Sequence, residues 1–460
     1  QTQPAGVSAL TATMEAVRQG DGGSLGEHDF LLALKLVNPM AHEIEIRAGN
    51  LLLRSEGGWL SPLAPTAETD MFARAVAIQA GQEQRIEPEK AYKVLGPALD
   101  VVAVLEASDG RLLAAAPLRL AGEAAGRVAL PPAGPLSLGV QHPLEAVPYA
   151  DGGRSIVVVG QVQLLGPGLL TEIQGSLVVG GDGGTTSPLT WNGGVEDGEG
   201  PGLWPFVQRV DVGEGFSTST VSLRMKGLLD GRAVTAELDL RADRVEPFVC
   251  DGPVLAHWQL ANGPAERRPH ANLLQLRSRY AWDLVVLRDG QTYEGDVSSN
   301  QSYWAFNQPI YAVADGTVED LCDHQLDRSG ASTSLAPCVH TPVNRVVLRH
   351  ADGTFTAYLH IKERSAFLSG VAKGTQVKAG QVIARVGNSG SSSEPHLQFF
   401  AFRTEGAERL RPVPVAFRNA FEDPKGVKQV VGVPVGGTQM HFLDRKALAQ
   451  RPGGAGGGGR

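Results

Sequence analysis

His396 and Gln398 stand two residues apart in the stretch Ser393-Glu394-Pro395-His396-Leu397-Gln398-Phe399. On a β-strand, side chains two apart point to the same face, so this spacing puts an imidazole and a carboxamide on one surface. An imidazole there can bind a metal or move a proton near neutral pH. A carboxamide oxygen is a poor zinc ligand beside imidazole nitrogen or thiolate. A second set of reactive side chains lies at Cys322-x-His324 and Cys338-x-His340. The two cysteines flank a loop rich in Ser, Gly and Asp. In an exported chain a disulfide closing that loop is the favoured reading, worth about 3 kcal/mol in the chain-entropy model. Four zinc-capable groups are the rival, although structural zinc sites favour cysteines spaced two to four residues apart. Cys250 is left over and reads as a buried thiol. The serines of Ser389-Gly390-Ser391-Ser392-Ser393 lack a Gly-x-Ser-x-Gly elbow and read as a loop rather than as nucleophiles.

The elements that must position these groups lie in residues 248–425. Pro309 to Val318 reads as strand, Asp-Gly turn and strand. Val346 to His350 leads through a hairpin turn at Asp352-Gly353 into Thr354 to His360. Gly374, Gly380, Gly387 and Gly390 then punctuate short apolar runs, as turns of a compact antiparallel fold would. His350, just before the hairpin turn, reads as structural.

Taken in order, Arg279-Tyr280-Ala281-Trp282-Asp283, Pro309 to Val318, Tyr358-Leu359-His360, Gly374 to Gly390 and Glu394 to Phe399 resemble the blocks of the lysostaphin/LytM-type zinc metallopeptidase family. The resemblance implies a small antiparallel β domain with a groove, zinc as cofactor, and peptide cross-links of the bacterial cell wall as substrate. It implies that Asp283 is a metal ligand and that His360 and His396 are the two catalytic histidines that do not bind metal. Those two would position or deprotonate the zinc-bound water and stabilise the oxyanion. The remaining ligand positions depart from the family. Arg279 stands four residues before Asp283 where a His is expected, and a guanidinium cannot ligate a metal. Gln398 stands at the last position, a weak or lost ligand. Members with an Arg-Tyr-Ala-x-Asp sequence use a His further upstream, for which His270 is the nearest candidate. Arg279, Tyr358 and Ser393 are expected to border the groove. The expectation is a peptidoglycan-binding groove with an impaired zinc site. The alternatives are an active zinc endopeptidase with an unusual ligand set and a scaffold in surface assembly.

Around this region the chain reads as mainly β. Two β-sandwich, immunoglobulin-like modules are expected at 1–128, with a short helix at Ser8 to Arg18, and at 136–247. Leu130 to Pro135 reads as a linker between them, and Gly180 to Gly202 as a long loop. The LytM-like domain follows at 248–425. Residues 426–460 hold a strand candidate, Val427 to Val435, and a glycine-rich tail. A 460-residue chain with 42% hydrophobic and 20% charged residues fits a soluble multidomain protein. Its net charge of −8, without a long basic run, argues against nucleic acid or anionic membranes as main partners. No stretch reaches the roughly 20 apolar residues of a membrane-spanning helix. The start at Gln1 without Met suggests a processed N-terminus and thus export, to the periplasm, the outer surface or the medium. Peptidoglycan and envelope proteins are the expected partners.

Overall fold

A computed structural model describes residues 11–22, 27–38, 43–55, 58–60, 76–86, 91–95, 100–107, 112–114, 118–119, 136–140, 144–180, 185–188, 198–264, 279–329, 343–390, 392–405 and 409–449. The chain divides into two compact units. One comprises residues 1–146, 156–244 and 272–275; the other comprises 147–155, 245–271 and 276–460. Both are built mainly from antiparallel pairings, with parallel ones between Leu144–Tyr149 and Arg232–Arg244 and between Phe248–Cys250 and Val415–Phe417.

The first unit begins with a strand, Thr11–Gly22, where the sequence suggests a helix over Ser8 to Arg18. It pairs along its length with Glu27–Val37, with a bulge between Arg18 and Gly20. Pairing across the hairpin overrides the weak local helix preference of this stretch. Glu83–Ile86 and Ala91–Leu95 complete a four-stranded sheet, and Ile44–Ser55 with Asp100–Ala107 centres a six-stranded one. The second half of the unit is a single seven-stranded sheet. Its 27-residue strand Gly153–Val179 pairs with Leu136–Val140, Thr185–Pro188 and Thr218–Leu229, so the pairing path closes on itself. Leu138, Ile156, Val158, Leu177, Phe206, Val221 and Leu223 fill its core. The expected loop over Gly180 to Gly202 is partly strand, since Thr185–Pro188 and the start of Gly198–Asp211 lie within it. The expected linker over Leu130 to Pro135 lies outside the described residues.

The second unit carries a ten-stranded sheet. In order, its strands are Gln376–Val377, Gly316–Cys322, Arg345–Arg349, Phe355–Leu359, Leu397–Glu405, Trp282–Val285, Ala256–Asn262, Gln439–Phe442 and Ala420–Phe421, with Arg409–Val413 beside Leu397–Glu405. The expected hairpin is present. Asp352 caps the turn by accepting the Thr354 amide at 3.0 Å, Gly353 takes φ 79°, and Arg349 pairs with Phe355. Leu397–Glu405 is central, and Phe399, Phe400 and Phe402 are fully buried, so both of its faces are covered. Trp282 stacks on Phe399 and tilts against Phe417, which meets Phe442 edge-on. Val427 to Val435 forms no strand; Gln439–Phe442 does so instead and pairs with Ala256–Asn262. Among the described residues no helix is long and apolar enough to cross a membrane.

Candidate functional site

Asp283 sits in Trp282–Val285, a strand buried at every position. Cross-strand register places it opposite Gln398 on one side and Asn262 on the other. The Asn262 amide donates to Asp283 Oδ2 at 2.9 Å, and Asp283 Oδ1 lies 3.6 Å from His396 Nε2. His396 and Gln398 share one face, as their spacing predicts, and Gln398 is half-buried.

Each histidine is held by its Nδ1. That of His396 lies 2.7 Å from the Glu394 carbonyl oxygen and 3.1 Å from Ser392 Oγ. That of His360 lies 2.7 Å from the Ser389 carbonyl oxygen. A carbonyl only accepts, so in each ring Nδ1 carries a proton. The two rings are 4.6 Å apart at 42°. His360 ends the strand Phe355–Leu359 with φ 61°, a left-handed conformation uncommon outside glycine. Such strain persists where surrounding contacts over-determine it. Here the Gly387 amide donates to the His360 carbonyl at 3.0 Å, and Lys362 N bonds Arg385 O at 2.8 Å. Gly387 must be glycine, because a Cβ would meet the Lys362 backbone and lie 2.5 Å from Asp327 Oδ1.

The other expected site residues distribute as follows. Arg279 is buried and lies 5.5 Å from the Tyr280 ring centroid. Ser393 is exposed. Tyr358 does not border the groove: it is fully buried against Phe399, and its hydroxyl accepts from Val313 N. Burial pushes its ionisation far above the usual phenol range. The odd-even alternation of Phe355–Leu359 turns this side chain inward. His270 lies outside the described residues. Of the expected disulfide, Cys322 is a buried thiol, 3.8 Å from His324 Nδ1 and 3.9 Å from Asn344 Oδ1 and free among the described residues, while Cys338 lies outside them. His350 is structural, its two nitrogens 2.8 Å from Asp315 O and from Thr356 Oγ1. Asn262 and the carbonyls of Ser389 and Glu394 carry no recognisable signal in the sequence, since they act through sheet register and loop conformation.

Residues 302–410 match the model of Peptidase family M23. This part of the chain is an M23 domain. The match begins after Arg279 and Asp283. A curated relative, the peptidoglycan DD-endopeptidase ShyC of Vibrio cholerae, is 32% identical over 91 residues, which are 20% of this chain and 16% of that protein. The chain thus matches only a small part of that relative's length. Among solved structures, the catalytic domain of lysostaphin from Staphylococcus simulans is 18% identical, covering 33% of this chain and 82% of that one at a TM-score of 0.20. A zinc-containing peptidase from Vibrio cholerae is 13% identical, covering 71% and 85% at a TM-score of 0.22.

Zinc, which M23 resemblance implies, needs a set of three protein ligands with suitable donors. The described residues offer one carboxylate at Asp283, a carboxamide at Gln398, and the Nε2 atoms of His360 and His396. Among the described residues no group of three or more His, Cys, Asp or Glu side chains is placed to hold a metal ion. Arg279 adds a permanent positive charge at a position where the resemblance expects a ligand. Among the described residues Asp283 alone is a donor of the implied set; His270 lies outside them.

Proposed function

We propose that the M23 domain is a peptidoglycan-binding groove with an impaired zinc site, in a chain exported to the cell envelope. The observation that carries this reading is the setting of Asp283: Asn262 holds its Oδ2, and Gln398 stands opposite where an imidazole is required. Support for a wall ligand comes from the matched relative, named a peptidoglycan DD-endopeptidase. The chain's own groups suit peptide binding. The Nε2 atoms of His360 and His396 accept from a peptide N–H in the neutral ring and donate in the protonated one, and the Gln398 amide can donate and accept.

A second reading, zinc-dependent hydrolysis with His270, Asp283 and Gln398 as ligands, is favoured by the intact Nδ1 clamps of both imidazoles. Purified peptidoglycan sacculi separate the two. Binding predicts that the full chain sediments with sacculi and releases no cross-link peptides, with or without added zinc. Zinc-dependent peptide release would replace the first reading by the second. Failure to sediment in both conditions contradicts a wall ligand.

A further inference from the structure

Ala256–Asn262 and Gln439–Phe442 pair antiparallel with His257 directly opposite His441. The two rings are half-buried, 4.6 Å apart between centroids and 22° between planes. Both ring nitrogens of His350, and Nδ1 of His360 and of His396, are engaged by carbonyls or hydroxyls. His257 and His441, by contrast, make no hydrogen bond through their rings among the described residues. Gln259 and Gln439 lie two residues along each strand on the same face, with their amides 3.4 Å apart.

Two imidazoles directly opposite on adjacent strands can form a chelating pair. A ring nitrogen binds Zn2+, Ni2+ or Cu2+ at about 2.0 Å, and the ring centroid lies roughly 1 Å behind it. A right-angled N–metal–N arrangement then spaces the centroids by about 4.5 Å, and a tetrahedral one by about 5 Å. The 4.6 Å spacing is that of stacked rings, whose in-plane lone pairs converge on one ion only after the rings turn; Cu2+ heads the affinity order for nitrogen ligands. The near-parallel rings need only turn about χ2, a soft torsion in histidine.

We infer that His257 and His441 form a binding site for a divalent transition-metal ion, with Cu2+ preferred. Water and the amide oxygens of Gln259 and Gln439 complete the coordination. The ion ties Gln439–Phe442 to Ala256–Asn262, the strand whose far end supplies Asn262 to Asp283.

The test titrates the full chain with CuCl2, followed by calorimetry and electron paramagnetic resonance, in wild type, His257→Asn, His441→Asn and the double variant. The expected result is one Cu2+ per wild-type chain with two-nitrogen hyperfine coupling, weakened at least about tenfold by either single substitution. Cu2+ should also raise the melting temperature of wild type more than that of any of the three variants. Equal Cu2+ affinity in wild type and double variant, or loss with only one substitution, overturns the site. If a variant folds poorly, diethylpyrocarbonate labelling of the wild type decides: Cu2+ must protect His257 and His441 together, and modification undiminished by Cu2+ refutes the inference.

Discussion

Replacing Gly387 by alanine tests how the groove histidine is held. The added Cβ would lie 2.5 Å from Asp327 Oδ1 and closer still to Lys362 N and Cα. Reaching ordinary van der Waals contact requires a shift of about 1 Å against main chain, which has no rotamer to yield, and such overpacking costs about 1–3 kcal/mol. The shift also strains two hydrogen bonds, Gly387 N to His360 O and Lys362 N to Arg385 O, each worth about 1 kcal/mol net. A loss near 3 kcal/mol corresponds to a fall in melting temperature of roughly 6–12 °C for a unit of this size. Gly374 is the control: its φ is 86° and nothing lies within 4 Å of the place an added Cβ would take, so Gly374→Ala carries only left-handed strain of about 1–2 kcal/mol. Circular dichroism melts of both variants, with sacculus sedimentation, give the comparison. The account requires Gly387→Ala to lose more stability than Gly374→Ala and to weaken wall binding, because His360 moves off the Ser389 carbonyl. A Gly387→Ala protein that melts within about 1 °C of wild type and binds sacculi normally refutes the reasoning.

Three further outcomes follow from the same contacts. Burial lowers the His350 pKa below the ordinary 6.5, so the unfolded chain binds the proton first. Its contribution is therefore full above about pH 6.5 and declines as pH falls toward the folded value; His350→Gln should flatten that acid-side slope in urea denaturation, and an unchanged slope would count against it. At φ 61°, His360→Gly should be more stable than His360→Ala by about 1 kcal/mol, the reverse of the usual order in extended chain, as read from denaturant midpoints. Burial raises the Cys250 and Cys322 thiol pKa values, so both should resist alkylation until the protein unfolds. The Cys322 peptide should then be labelled without reductant; labelling only after reduction would restore the disulfide.

The order of motifs in the sequence locates the M23 domain, and strand alternation places His396 and Gln398 on one face. Three things are not legible there. Tyr358 is expected to border the groove, but it is fully buried against Phe399, a packing that sequence spacing does not reveal. Asn262 reaches Asp283 through register between strands, and local spacing carries no register information. The segment from Thr11 to Gly22 resembles a helix because its apolar residues fit either period; its long hairpin partner decides for strand.

Zinc occupancy tests the central claim most directly. The full chain, equilibrated by dialysis at about nanomolar free zinc and then analysed for metal, should retain far less than one zinc per chain, because a guanidinium at Arg279 and a carboxamide at Gln398 stand where the resemblance expects imidazoles. A two-imidazole surface pair does not fill at that concentration. One zinc per chain, retained in wild type and lost on Asp283→Ala, would contradict the account.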